Sequence, residues 1–485
     1  MRAMLKLRAA NLWAYLFLLI FPVFFGITIA LLETYAAIFW ALILVPIILF
    51  LVLRSSPKQH SGKVFIFGFM LFFMLPFISK LTGIVLVGTW QLLFALSIFG
   101  FANFYRYLDK AFFVKLSVFF FLGFMGIAFM STALGRSNFM ATAYQFVSDL
   151  KPMLLLVMGF AIDWNDDTEK NFWKIIEWFW LPALILVAFE WAAPSVYFKV
   201  FKGVAAVPSD GLFPSRAVGP FLNSSILAAS GVMFALLIFS RIQTQCFNKN
   251  RSHDWFRLVM YVVVVITALQ RFELLGLFVS LALIYLIAEP SKLVIRSIFS
   301  SVILMIVLGL VWSVFGEEFK REIAQMGFGN FNTIETARVQ IYQGAIALAE
   351  QYFPLGSGLG TYGGAGAQKF DQSFYYQLGF ANYWWFGKES YLMDTYWANS
   401  VAETGVFGAI MLLLSYITLA VHSLIKAIKV RGKAQVYWGF SAVGIIYLLM
   451  LSLSSPSFQD PMLAFLPLLA IGIASTCEAK AAELT

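Results

Sequence analysis

Long apolar runs separated by short polar or basic turns repeat along nearly the whole chain. A helix needs roughly 20 mostly apolar residues to cross the hydrocarbon of a bilayer, so the distance between successive charges serves as a ruler. Eight windows meet it: Arg8 to Glu33, Glu33 to Arg54, Lys80 to Arg106, Lys115 to Arg136, Arg216 to Arg241, Arg296 to Glu317, Glu403 to Lys426 and Lys433 to Asp460. Shorter windows at Lys63 to Lys80, Glu273 to Glu289 and Asp460 to Glu478 add probable crossings. Leu154 to Ile162 and Phe172 to Trp191 add weaker ones, the last carrying Lys174 and Glu177. The pattern predicts an all-α polytopic membrane protein of about 14 transmembrane helices. Its expected organisation is membrane helices with short loops over 1–315, a large helical loop over 316–399, and C-terminal membrane helices over 400–485. Within the loop, the spacing of Val339, Ile341, Ala345, Ile346 and Leu348 predicts a helix over Thr336 to Phe353, stopped by Pro354. Gly356, Gly358 and Gly360 then form a turn.

Composition agrees: 61% of residues are apolar, 18% aromatic and only 12% charged. That excludes a water-soluble globule and an unfolded chain, both of which carry more charge. The net charge of +9 reports basic cytoplasmic loops, not a nucleic-acid partner. The loops holding Arg54, Lys58 and Lys63, and Lys426, Lys429, Arg431 and Lys433, orient the two halves independently. They put both termini in the cytoplasm and the 316–399 loop in the periplasm. The basic start Met1 to Arg8 precedes an apolar run reaching Leu32 with no small-residue cleavage site, so it reads as a retained first span. Cys246 and Cys477 both fall on the cytoplasmic side and imply neither a disulfide nor a metal site.

Ionisable residues at membrane depth are costly, so they are candidates for function. Arg216 precedes Gly219-Pro220, Arg271 and Glu273 share a tight turn, Arg338 lies in the loop helix, and Asp394 precedes the span that contains Glu403. Guanidinium stays charged and its forked donors fit phosphate oxygens, so arginines converging on one surface suit a lipid-linked diphosphate. The alternative is that they reach headgroups, or pair locally, Arg271 with Glu273 and Arg338 with Glu335. His60, His253 and His422 all fall on or near the cytoplasmic side. A carboxylate is therefore the available outer base: Asp394 first, then Glu403, which could instead orient a helix start. The aromatics of Tyr375 to Trp397, including Tyr396 and Trp397, fit an interfacial belt, with one or two free to line a glycan groove. The Gly356-Ser-Gly-Leu-Gly turn lacks the lysine of a nucleotide loop, and no zinc spacing or Ser-His-Asp set accompanies it.

Taken in order, Arg216-Ala-Val-Gly-Pro-Phe-Leu-Asn223, Leu269-Gln-Arg271, Arg338-Val-Gln-Ile-Tyr342, Pro354-Leu-Gly-Ser-Gly358-Leu-Gly360, Asp394-Thr-Tyr-Trp397 and Glu403-Thr-Gly405 resemble the bacterial O-antigen polymerase and O-antigen ligase superfamily. The resemblance covers roughly 210–410. It implies a GT-C-like membrane glycosyltransferase of the bacterial inner membrane, serving lipopolysaccharide or exopolysaccharide synthesis. Such an enzyme passes glycan from undecaprenyl diphosphate to a sugar hydroxyl at the periplasmic face, by inversion, with no metal or other cofactor. Arg216, Arg271 and Arg338 are then expected to hold the diphosphate, with Asp394 as the base. Asn223, Glu335, Tyr342, Gly358, Tyr396, Trp397 and Glu403 are the expected substrate-binding residues. The implied partners are membrane lipids, a chain-length regulator and a flippase. The ligase branch usually has histidine where this chain has Asp394, which makes a polymerase joining lipid-linked repeat units the first expectation and a ligase to lipid A core the second. Gln270 also departs from the small serine frequent before the arginine. The rival from another class is a flippase, although no internal repeat of the transporter kind is visible.

Overall fold

A computed structural model describes residues 112–162, 164–201, 215–244, 251–325, 337–387 and 389–483, together with scattered positions between 62 and 80. The described chain is helical throughout. In order, α1 is Phe112–Leu134, α2 Phe139–Ala161, α3 Asp166–Trp178, α4 Trp180–Ala192, α5 Pro194–Val200, α6 Ser224–Thr244, α7 Arg251–Thr267, α8 Arg271–Ala288 and α9 Leu293–Gln325. Next come α10, Ala337–Gln351, and two short helices, α11 (Ala365–Phe370) and α12 (Ser373–Gln377). The chain then returns to long helices: α13 Trp397–Lys429, α14 Lys433–Leu451 and α15 Pro461–Glu483.

Seven helices among the described residues are long and apolar enough to cross a membrane, where the sequence led us to expect about 14. The protein is an all-α multi-pass membrane protein, and its described residues supply half that count. Part of the difference arises because a charge-to-charge window measures composition and is blind to what a helix is built to bury. The window Leu154 to Ile162 is the end of α2, whose other half carries Gln145, Asp149 and Lys151, with Pro152 inside the helix. That helix is spent on polar partners. The windows Arg8 to Glu33, Glu33 to Arg54 and Lys80 to Arg106 lie outside the described residues.

The core is centred on α6, α14 and α15, which are buried over most of their length, while α1, α3 with α4, and α8 expose most of theirs. A helix apolar on every side belongs inside, and α6 is that helix: from Leu227 to Ile242 every residue is buried. Outward side chains such as Phe119, Leu122 and Phe129 on α1 have only lipid to meet. Because lipid tails are as apolar as leucine, helix contacts need close approach or polar glue. Gly159 of α2 and Gly472 of α15 let two backbones touch, since a Cβ built on Gly472 would stand 2.0 Å from a Gly159 backbone atom. Ser117 and Ser415 join α1 to α13 by donating to each other's carbonyls at 2.8 and 3.0 Å.

Helix α13 is interrupted. Gly405 has φ +66°, ψ −178°, which turns the chain out of helix about two turns beyond the helix start. The carbonyls freed there are taken by the glycine turn. Ser357 N–H donates to Ala402 O at 2.9 Å and Gly358 N–H to Glu403 O at 3.1 Å. From α1, Ser131 Oγ also donates to Glu403 O, at 2.6 Å. Gly356 (φ +83°) and Gly405 face each other so tightly that a Cβ on either would lie about 2.5 Å from the other's backbone or from Pro354 O.

Gly405→Ala should therefore lower stability by about 2 kcal/mol or more, combining left-handed strain with a backbone clash. Gly432→Ala, at φ +82° in open space, should cost about 1 kcal/mol. Thermal unfolding of the two purified variants in detergent measures the difference, and equal shifts would mean that the turn does not lock the break.

Candidate functional site

Helix α10, the glycine turn and the short helices after it form a small domain with its own core: Ile341, Ala345, Leu348, Tyr362, Phe374, Tyr375, Phe380, Trp385 and Leu392. The aromatics expected to form an interfacial belt mainly fill this core. Tyr375, Trp385 and Tyr396 are fully buried, whereas Tyr376 and Trp384 are exposed. Tyr396 belongs to the bundle instead, its hydroxyl 2.9 Å from that of Tyr416 and its ring against Phe458.

Polar side chains bolt this domain to the bundle. Gln145 Nε2 donates to Asp149 Oδ1 at 3.0 Å and to Asn399 Oδ1 at 3.1 Å, while its Oε1 accepts from Gly366 N–H at 3.3 Å. Asn399 Nδ2 donates to Tyr362 O at 2.8 Å. Gln459, from the turn before α15, donates to Asp149 Oδ1 at 2.6 Å. Glu403 is 1% exposed, and its Oε1 accepts from Tyr362 N–H at 3.1 Å. Unpartnered polar atoms are costly in such surroundings, which explains why these groups find one another. Sequence reasoning missed Gln145, Asp149, Asn399 and Gln459, and only Gln145 and Asp149, one turn apart in an apolar helix, gave a hint.

Above this frame lie Arg338 and Asp394. Helix α10 packs along the start of α13 and carries Arg338 and Tyr342 one turn apart on one face. Arg338 Nη2 stands 3.7 Å from Asp394 Oδ2, with side-chain exposures of 27% and 30%. The Arg338 Nε is buried with no hydrogen-bond partner. Asp394 ends a short 3-10 turn, Glu389–Met393, and its own N–H donates to Tyr391 O. Burial pushes its carboxyl up to about 6, and the Arg338 guanidinium restrains the rise. Tyr342 Oη donates to Leu453 O at 3.1 Å, and burial pushes that phenol up to about 12. Trp397 Nε1 donates to Ser452 Oγ at 2.7 Å. Tyr342 and Trp397, the near neighbours of Arg338 and Asp394 in sequence, thus both bond to the turn that follows α14.

Arg216 and Arg271 are brought to the same end by another route. Ala217 N–H donates to Thr267 O at 3.2 Å, and Gln270 Nε2 donates to Ser224 Oγ at 2.7 Å, so the Arg216 loop lies against the α7–α8 turn. Arg271 opens α8, and Gly276 of that helix sits under the ring of Tyr447 on α14. Arg271 precedes Gly276 by roughly 8 Å along its helix, and Leu453 lies about as far beyond Tyr447. All three arginines and Asp394 are therefore at the loop end of the bundle. The remaining expectations divide. Asn223 Oδ1 accepts from Ile226 N–H, which makes it the cap of α6. Gly358 packs against Ser137 and Thr132. Glu335 lies outside the described residues.

Residues 256–413 match the O-antigen ligase family. That segment is homologous to the family. It is about a third of the chain and holds Arg271, Arg338, Asp394, Glu403 and the glycine turn, while Arg216 and Asn223 fall outside it. No match was found among curated proteins.

In infrared difference spectra the Asp394 carboxyl band, assigned by its loss in Asp394→Asn, should titrate near pH 6. Arg338→Gln removes the restraining cation, so the midpoint should move to higher pH. An unmoved midpoint would show that the two side chains are not coupled.

Proposed function

We propose that this protein is a glycosyltransferase that moves glycan from a polyprenyl diphosphate carrier to a hydroxyl acceptor at the loop end of its bundle. The observation that carries this reading is the Arg338–Asp394 pair: a half-buried carboxylate with a raised pKa beside a guanidinium that still has an unused donor. In the proposed step the acceptor oxygen attacks the anomeric carbon while its proton passes to Asp394. The bond from that carbon to the diphosphate oxygen breaks, and the electron pair leaves with the diphosphate. Arg216, Arg271 and Arg338 stabilise the charge that develops there. A single displacement of this kind inverts the sugar. The basic turn that contains Lys426, Lys429, Arg431 and Lys433 lies at the opposite end of α13 and α14. By the positive-inside bias this supports a periplasmic loop end and an inner-membrane location.

The family match favours a ligase, with lipid A core as acceptor. The sequence alone had favoured a polymerase. Asp394, where ligases usually carry histidine, keeps the polymerase as the second reading, with another lipid-linked repeat unit as acceptor. In the ligase reading the flippase and the chain-length regulator act upstream and are partners of the pathway.

Purified protein in liposomes, given an undecaprenyl-diphosphate-linked repeat unit, separates these readings through the acceptor supplied. Lipid A core should become glycosylated; elongation of the carrier-linked glycan without it would favour the polymerase. Movement of the lipid with no glycosidic product would instead point to a flippase. Asp394→Asn should reduce kcat by about 100-fold or more. Wild-type activity should fall as pH drops below about 6, where Asp394 takes up a proton. An Asp394→Asn enzyme with wild-type kcat would remove the proposed base.

A further inference from the structure

The loop around Arg216 is held far more firmly than a connection between two helices requires. Glu190, near the end of α4, is fully buried. Its carboxylate accepts from Val218 N–H at 3.0 and 3.2 Å and from Gly219 N–H at 2.9 Å. On the other face of the same loop, Gly219 O accepts from Tyr197 Oη at 2.5 Å and from Lys80 Nζ at 3.0 Å. Trp191 Nε1 donates to Ser215 O at 3.2 Å, and Ala217 N–H reaches Thr267 O. Gly219 itself has φ +51°, so the loop needs this residue to turn between its two sets of partners.

Amid these bonds one group is left over. Among the described residues, no hydrogen bond or ion pair involves the Arg216 guanidinium, although the residue is only partly exposed and its neighbours Ser215, Ala217 and Val218 are buried. A backbone fixed on both sides of a single uncommitted cation is the arrangement expected where a charge must be presented at a set position. A buried carboxylate is an expensive way to close a loop, since desolvation must be offset by the bonds it receives.

We infer that Glu190 is a positioning residue: by clamping Val218 and Gly219 it holds Arg216 where an anionic phosphate headgroup is bound. This rests on the reading of Arg216 as a ligand of the carrier diphosphate. Glu190 touches no substrate. Glu190→Gln keeps the volume but turns an N–H2 toward peptide donors, so one of the two loop contacts is lost and Arg216 drifts.

The test is a double-mutant cycle read by binding of undecaprenyl diphosphate to the full-length protein in nanodiscs. Glu190→Gln should raise Kd about tenfold, the order expected from losing one charge-assisted hydrogen bond. In an Arg216→Ala background the same change should have almost no further effect, because the residue through which it acts is gone. An equal loss in both backgrounds would mean that Glu190 serves general stability and would overturn the inference. If Glu190→Gln does not fold, Tyr197→Phe, which removes one bond to Gly219 O, is measured in the same two backgrounds and decides by the same criterion. Should Arg216→Ala alone bind like wild type, the headgroup assignment fails, and this inference with it.

Discussion

A helix cannot be opened inside an apolar bundle unless the peptide groups it frees find other partners. The break at Gly405 of α13 is such an opening, and the loop-end structure is arranged around it. Ala402 O and Glu403 O are satisfied by Ser357 and Gly358, so the glycine turn is inserted into the helix rather than resting on it. From that insertion the small aromatic domain is fixed, and α10 with it. The same constraint governs the amide network of Gln145, Asn399 and Gln459 around Asp149. Helix α2 forgoes part of its apolar character to satisfy that domain, and for the same reason it is not among the candidate spans.

The two ends of the bundle treat charge differently. Toward the end away from the loop domain, Arg241 and Arg257 share Glu177 and Asp254, Lys433 meets Glu169 at 2.9 Å, and Lys426 meets Glu478 at 2.5 Å. These pairs stitch helices together. At the loop end the Arg338–Asp394 pair is looser. Arg338 reaches Asp394 only at 3.7 Å and keeps a buried Nε without a partner. Rigid backbone around the uncommitted Arg216 is what binding of an anionic headgroup requires, because the ordering is done before the ligand arrives.

Much of this was legible in the sequence, for identifiable reasons. Apolar run length gave an all-α membrane protein, the glycine spacing gave a turn where backbones meet, and Arg338 and Asp394 stood out as charges where charge is costly. Run length failed as a counter because it cannot distinguish a crossing from a helix like α2 that serves polar partners. The tyrosines and tryptophans near residue 380 look the same in sequence whether they sit at an interface or in a core; only packing separates them. Gln145 and Asn399 are 254 positions apart, and no local pattern announces such a pair. Glu190 was hidden for a related reason: its partners are backbone N–H groups, which every sequence offers equally.

The central claim is that Arg216, Arg271, Arg338 and Asp394 line one anion-binding mouth. Single cysteine replacements at these four positions, in a protein freed of Cys246 and Cys477, can be labelled with a membrane-impermeant maleimide in sealed spheroplasts. All four should label from the outer face and be protected by added undecaprenyl diphosphate. Labelling of any arginine position only after the inner face is exposed, or no protection at any of the four, would contradict the account.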